Sequence, residues 1–139
     1  MITNISIFDM DGTIIDSSHR QATLPDGTLN LDAWIENATP EKIRKRHKAG
    51  DYTMICTARV MSEADYEFLM NEGINPDKII SRPLGNTEPD GQLKAKQLKS
   101  LFNLKQFKKA TKIMFDDAAS VRSALRKIGI ATIHPSKVK

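Results

Sequence analysis

The chain is short of several things. Among its 139 residues there is one cysteine, Cys56, so no internal disulfide can form; this fits a reducing compartment, and a cytoplasmic location is the expectation. No apolar run approaches the roughly 20 residues that cross a bilayer, so no membrane association is expected. The first residues lack a basic n-region and a cleavage site, so no secretory signal is expected either. His19, His47 and His134 have no metal-ligand spacing, which argues against an imidazole-based zinc site. Internal repeats, low-complexity tracts and interdomain linkers are also missing, and 139 residues suffice to bury one core without staples. A single domain over residues 1–139 is therefore expected.

What is present alternates. Short apolar runs at Ile5–Phe8, Tyr52–Cys56, Lys78–Ile80, Ile113–Phe115 and Ile130–Ile133 read as strands buried on both faces. Helical signals separate them. Thr39-Pro40-Glu41 offers a cap, a first-turn proline and an acid, with Gly50 as a stop. Ser62-Glu63-Ala64-Asp65 resembles a capping box, and Gly73 can close that helix. A third helix is expected to start near Leu93. Val121, Leu125 and Ile128 form an i, i+4, i+7 stripe on a fourth, ended by Gly129. This rhythm predicts an α/β, doubly wound Rossmann-like fold with a mainly parallel central sheet. Residues 17–38 show no periodicity and read as a small insertion after the first strand.

In such folds functional side chains gather at the carboxyl ends of the strands. The first strand ends in Asp9-Met10-Asp11-Gly12-Thr13, the second in Thr57-Ala58-Arg59 and the fourth in Asp116-Asp117, while Lys94 lies on the intervening helix. Four carboxylates brought together repel one another and raise each other's pKa. A hard divalent ion with oxygen ligands, Mg²⁺ above all, resolves the conflict, with Asp9, Asp11, Asp116 and Asp117 as candidate ligands. Lysine, arginine, threonine and backbone N–H groups would then hold phosphoryl oxygens. Cys56, next to Thr57, is expected in the core, since no basic partner for a thiolate is evident.

The order FDMDGT, ICTAR, Lys94 within DGQLK, and FDD resembles the haloacid-dehalogenase (HAD) superfamily of phosphohydrolases over most of the chain. Within it, the chain looks similar to the phosphatase domain of phage-type polynucleotide kinase/phosphatases. That narrower likeness rests on Asp16-Ser17-Ser18-His19-Arg20, Leu31-Asp32-Ala33-Trp34, Thr57-Ala58-Arg59, Arg82-Pro83, Asp90 and Asp116-Asp117. Two positions depart from the pattern: Thr-Ala-Arg stands where Ser-Gly-Arg is common, and Ala118 where a basic residue often follows the aspartates. The resemblance implies a Mg²⁺-dependent phosphomonoesterase with a minimal cap. Asp9 would be the nucleophile, forming an aspartyl-phosphate, and Asp11 the general acid and base. Thr57 and Lys94 would complete the catalytic set. Gly12, Thr13, Arg20, Ala58, Arg59 and Asp90 would support substrate binding, and Met10 would offer only its carbonyl to the metal.

The expected substrate is a 3′-phosphate on a polynucleotide end or a related nucleotide. A small-molecule phosphatase acting on mononucleotides or sugar phosphates is the alternative, and a non-hydrolysing phosphate-binding protein the third reading. A formal net charge of +4 agrees with a polyanionic partner without requiring one. The basic run within residues 42–48 is expected mainly as a solvated helix face, and Trp34 as an anchor of the insertion.

Overall fold

A computed structural model describes residues 2–14 and 51–137. Strands β1 (Asn4–Phe8), β2 (Asp51–Cys56), β3 (Lys78–Ile80), β4 (Thr111–Phe115) and β5 (Ala131–Ile133) form one sheet in the order β3-β2-β1-β4-β5. Every pairing is parallel. Helices α1 (Glu63–Asn71), α2 (Asp90–Phe102) and α3 (Ala119–Arg126) connect β2 to β3, β3 to β4 and β4 to β5. All five expected strands form, within two residues at either end. The expected helix after Thr39, the insertion 17–38, Arg20, Trp34 and the basic run 42–48 lie outside the described residues.

Side-chain alternation along the strands divides the core into two layers. Ile5 and Ile7 of β1, Met54 and Cys56 of β2 and Met114 of β4 point to one face, against Leu98 and Phe102 of α2 and Val121 and Leu125 of α3. Phe8, Ile55 and Phe115 point to the other, against Phe68 and Leu69 of α1. Phe8 and Phe115 are register partners, and their rings stack with centroids 4.7 Å apart. Each such fully buried side chain contributes about 1.5–3 kcal/mol, offset by the chain entropy it helps to fix.

The capping box forms as expected: the Ser62 hydroxyl accepts from the Asp65 N–H, and the Asp65 carboxylate accepts from the Ser62 N–H. Helix α2 departs from expectation. It begins at Asp90 rather than near Leu93, after Pro89, without a side-chain cap. The apolar stripe that suggested Leu93 starts late because Asp90 and Gln92 are exposed and the buried Gly91 between them carries no side chain. Gly91 in that turn lies against the Ser120 carbonyl and the Ala124 methyl, where a Cβ would be crowded, so glycine allows α2 and α3 to approach.

Candidate active site

Register assembles the site. Phe8, the last residue of β1, pairs with Phe115, the last of β4, and with Ile55, one before the end of β2, so these three strands end within one residue of one another. The residues that follow, Asp9, Thr57 and Asp116, emerge together at the carboxyl edge. Their backbones remain tied to the sheet: Asp9 N–H donates to the Phe115 carbonyl (3.0 Å), Thr57 N–H to the Ile80 carbonyl (2.9 Å) and Asp116 N–H to the Ile133 carbonyl (3.2 Å).

Lys94, the fifth residue of α2, is 2% exposed, and its Nζ lies 2.8 Å from an oxygen of Asp9 and 2.8 Å from one of Asp116. Burial alone would depress the ammonium's pKa, but the two carboxylates outweigh it and hold the pKa above the ordinary lysine range. Lys94 is thus a fixed cation. Asp9 behaves oppositely: burial raises its pKa well above the usual carboxylate value, Lys94 lowers it, and Asp116 and Asp117 add to the rise. One ammonium against three carboxylates leaves excess negative charge at the site.

Asp9, Asp116 and Asp117 each present an oxygen within 4.8 Å of the others. Asp116 and Asp9 are buried and Asp117 is exposed, so this group opens to solvent on one side. A hard cation fits the donor set, all carboxylate oxygen, and would relieve the charge that raises Asp9's pKa. Asp116 is held from behind: its other oxygen accepts from the Ala118 N–H, and Arg122 donates to its carbonyl. Gly12 adopts φ +80°, and a Cβ there would run into the Asp117 carboxylate, so glycine is required both for the turn and for the neighbour. The glycine of the first motif thereby makes room for the aspartate of the last.

Asp11 lies apart from that group. Its carboxylate accepts from Arg59 through NH2 (2.5 Å) and Nε (3.3 Å), in the two-pronged arrangement arginine favours. The sequence-based expectation counted Asp11 among four metal-ligand candidates; the described acidic group contains the other three. Arg59 also donates to Asp65, which is fully buried, at 3.3 Å. The capping box of α1 is therefore joined through Arg59 to Asp11, a link the sequence did not reveal. Its only trace there is the spacing of Arg59 and Asp65.

Thr57 is buried, and its hydroxyl accepts from the Arg59 N–H (3.1 Å), shaping the Thr57-Ala58-Arg59 turn. Thr13 is buried too, with no hydrogen-bond partner for its hydroxyl among the described residues. Asp90 is largely exposed and pairs with Arg82 at 2.8 Å. Arg82 also donates to the Ala58, Asn86 and Glu88 carbonyls, pinning the segment before α2 to the turn after Thr57. Arg82 is not among the site residues expected from the sequence, although Arg82-Pro83 is part of the resemblance. Cys56 is fully buried, and burial pushes its thiol up to about 12, so it is inert at neutral pH.

The all-parallel sheet, with strand-end carboxylates gathered around a buried lysine, defines a doubly wound α/β domain whose candidate site lies at the carboxyl edge of the strands. All 139 residues match the model of the bacteriophage T5 5′-deoxynucleotidase family, and the chain belongs to that family. It is similar to the 5′-deoxynucleotidase of Escherichia phage T5, 33% identical over 89 residues. That alignment covers 52% of this chain and 36% of the relative, so only about a third of the relative's length is spanned. Solved structures share the fold. A chain of the Pnkp1/Rnl/Hen1 RNA repair complex is 20% identical, with a TM-score of 0.64 over 96% of this chain and 42% of that one. The HAD domain of the Legionella pneumophila effector Lem4 is 19% identical, with a TM-score of 0.63 over 99% of this chain and 90% of that one.

Proposed function

We propose that this protein is a Mg²⁺-dependent phosphomonoesterase that removes the phosphate of a deoxynucleoside 5′-monophosphate through an aspartyl-phosphate on Asp9. The observation that carries the chemistry is the placement of Asp9 just after β1, ion-paired to the Lys94 ammonium and clustered with Asp116 and Asp117. The family matched over the whole chain supports the mononucleotide rather than the polynucleotide 3′-end as substrate.

An Asp9 carboxylate oxygen attacks phosphorus, the bond to the ester oxygen breaks, and the leaving alkoxide takes a proton from Asp11. Water then attacks the phosphorus of the acyl phosphate. Asp11 takes the water's proton, the bond to the Asp9 oxygen breaks, and inorganic phosphate and free Asp9 result. Asp11 must release from Arg59 to reach the ester oxygen, and the Arg59 guanidinium is then free to meet substrate charge. Lys94 keeps Asp9 oriented and offsets charge beside the phosphoryl group. Asp9, Asp116 and Asp117 would hold Mg²⁺, which supplies charge neutralisation between the carboxylates and the phosphoryl oxygens.

The test is a direct competition among deoxynucleoside 5′-monophosphates, the 3′-monophosphates and oligonucleotides carrying a 3′-phosphate, each with Mg²⁺ and with EDTA. The 5′-mononucleotides should give the highest kcat/KM, and an Asp9→Asn variant should give none. Higher turnover of the 3′-phosphorylated oligonucleotides would overturn the substrate and restore the polynucleotide-end expectation. Full activity in EDTA would remove the metal, and an active Asp9→Asn variant would remove the nucleophile.

A further inference from the structure

Charge is divided unevenly along this chain. Residues 91–139 contain twelve lysines and arginines and only two acids, Asp116 and Asp117, both in the candidate active site. Among the described residues, the helix on the other side of the sheet is acidic, with Glu63, Glu67 and Glu72 exposed on and just after α1. A net charge of +4 for the whole chain therefore conceals a basic face of α2, α3 and the α2–β4 connection.

At the end of the sheet remote from Asp9, that face gathers Lys99, Lys105, Lys108, Lys109, Lys112 and Lys127. Lys99, Lys112 and Lys127 line a groove of about 330 Å³ floored by Phe102, Ile128 and Ile130. Lys105, Lys108 and Lys109 are exposed on the adjoining connection. Lysines at helix C-termini ordinarily complement the helix dipole, and that accounts for Lys99 and Lys127. Lys112 donates to the Ala110 and Lys108 carbonyls. Nothing of that kind accounts for Lys105, Lys108 and Lys109, which form no ion pair among the described residues. Lys96, by contrast, pairs with Glu88. Like charges gathered on one face raise one another's energy unless an anion shares them, and a row of phosphates is the anion that spans such a patch.

From these observations we infer that the α2–α3 face is a docking surface for the phosphate backbone of a nucleic-acid strand, separate from the catalytic site. Asp116 lies four residues beyond Lys112 along β4, roughly 13 Å of strand, so a bound backbone leaves the strand-end carboxylates open. The protein would then work on small phosphomonoesters while held on a polymer.

The probe is a fluorescent 20-nucleotide DNA strand with hydroxyl groups at both ends, which offers the active site no phosphomonoester. Anisotropy should show binding at 50 mM salt. Engagement of all six lysines would make log K fall against log salt with a slope near −4. The triple variant Lys105→Glu, Lys108→Glu, Lys109→Glu alters exposed side chains only. It should bind at least 10-fold more weakly, with a shallower slope, while its kcat/KM on a deoxynucleoside 5′-monophosphate stays unchanged. No binding by the wild type at 50 mM salt would overturn the inference, as would equal binding by the variant. Binding to phosphatidylserine vesicles but not to the DNA strand would overturn it in favour of a membrane surface. Because the probe is not a substrate, a failed phosphatase assay leaves this result readable, and the reverse also holds.

Discussion

Replacing Lys94 by methionine removes the cation that the structure places between two buried carboxylates. Asp9 is 6% exposed and Asp116 1%, and each has an oxygen 2.8 Å from Nζ. Methionine has similar length and fills the volume, so the loss is electrostatic and not a cavity. Removing one partner of a buried ion pair costs about 3–5 kcal/mol, because the remaining charge stays desolvated. Unfolding entropy near 2.1 cal/mol/K per residue gives about 290 cal/mol/K for this chain, so a 4 kcal/mol loss lowers Tm by about 14 °C. The deficit should depend on pH. Burial already raises Asp9's pKa, and the variant loses the lysine that opposes this rise. An acid whose folded-state pKa exceeds its unfolded value binds more protons when folded, so stability falls as pH rises through that range. The variant should therefore recover part of its lost Tm at pH 5 relative to pH 7.5. Mg²⁺ should act in the same direction at pH 7.5: at 100 times its Kd a folded-state ligand adds about 2.7 kcal/mol, or about 9 °C here. Circular-dichroism melts at both pH values, in EDTA and in Mg²⁺, measure each term. A Tm loss under about 3 °C at pH 7.5 in EDTA, or one equal at pH 5, would refute the argument that Lys94 compensates buried charge.

Other outcomes follow from the same geometry. Asp65→Asn breaks the route from the capping box through Arg59 to Asp11. The cap itself should cost about 1 kcal/mol, and turnover of nucleotides should fall about 10-fold more than that of p-nitrophenyl phosphate, whose leaving group needs no proton. Equal losses on both substrates would show that Asp65 serves folding alone. Gly12→Ala forces a left-handed backbone on alanine and drives its methyl into Asp117, so Tm should fall by an amount equivalent to about 1–3 kcal/mol. The Mg²⁺ concentration for half-maximal activity should rise in the same variant, and an unchanged Mg²⁺ titration would separate Gly12 from the metal group. Cys56, its thiol pushed up to about 12, should resist iodoacetamide at pH 8 in the folded protein and react after denaturation. Labelling of the folded chain followed by mass spectrometry checks this.

Much of this molecule was legible from the order of its residues. Short apolar strands alternating with amphipathic helices are local patterns, and they specified the parallel sheet because only strands covered on both faces can be apolar throughout. The chemistry of the site was legible for a related reason. Its residues follow strand ends directly, or, for Lys94, lie in the first turns of the helix after one, and in a parallel sheet all strand ends of one sense share an edge. Asp9, Thr57, Lys94, Asp116 and Asp117 could therefore be gathered without coordinates. The start of α2 was misread by three residues because its first turn carries no apolar signal. What needed tertiary structure were relations between side chains distant in sequence. Among these are Lys94 placed equally between Asp9 and Asp116, and Arg59 taking Asp11 away from the acidic group while leaning on Asp65. The collision that reserves position 12 for glycine belongs with them. The charge imbalance of residues 91–139 is written in the sequence, but a surface needs directions. Sheet topology puts α2 and α3 on one face and α1 on the other, and that separation turns a composition into a basic surface.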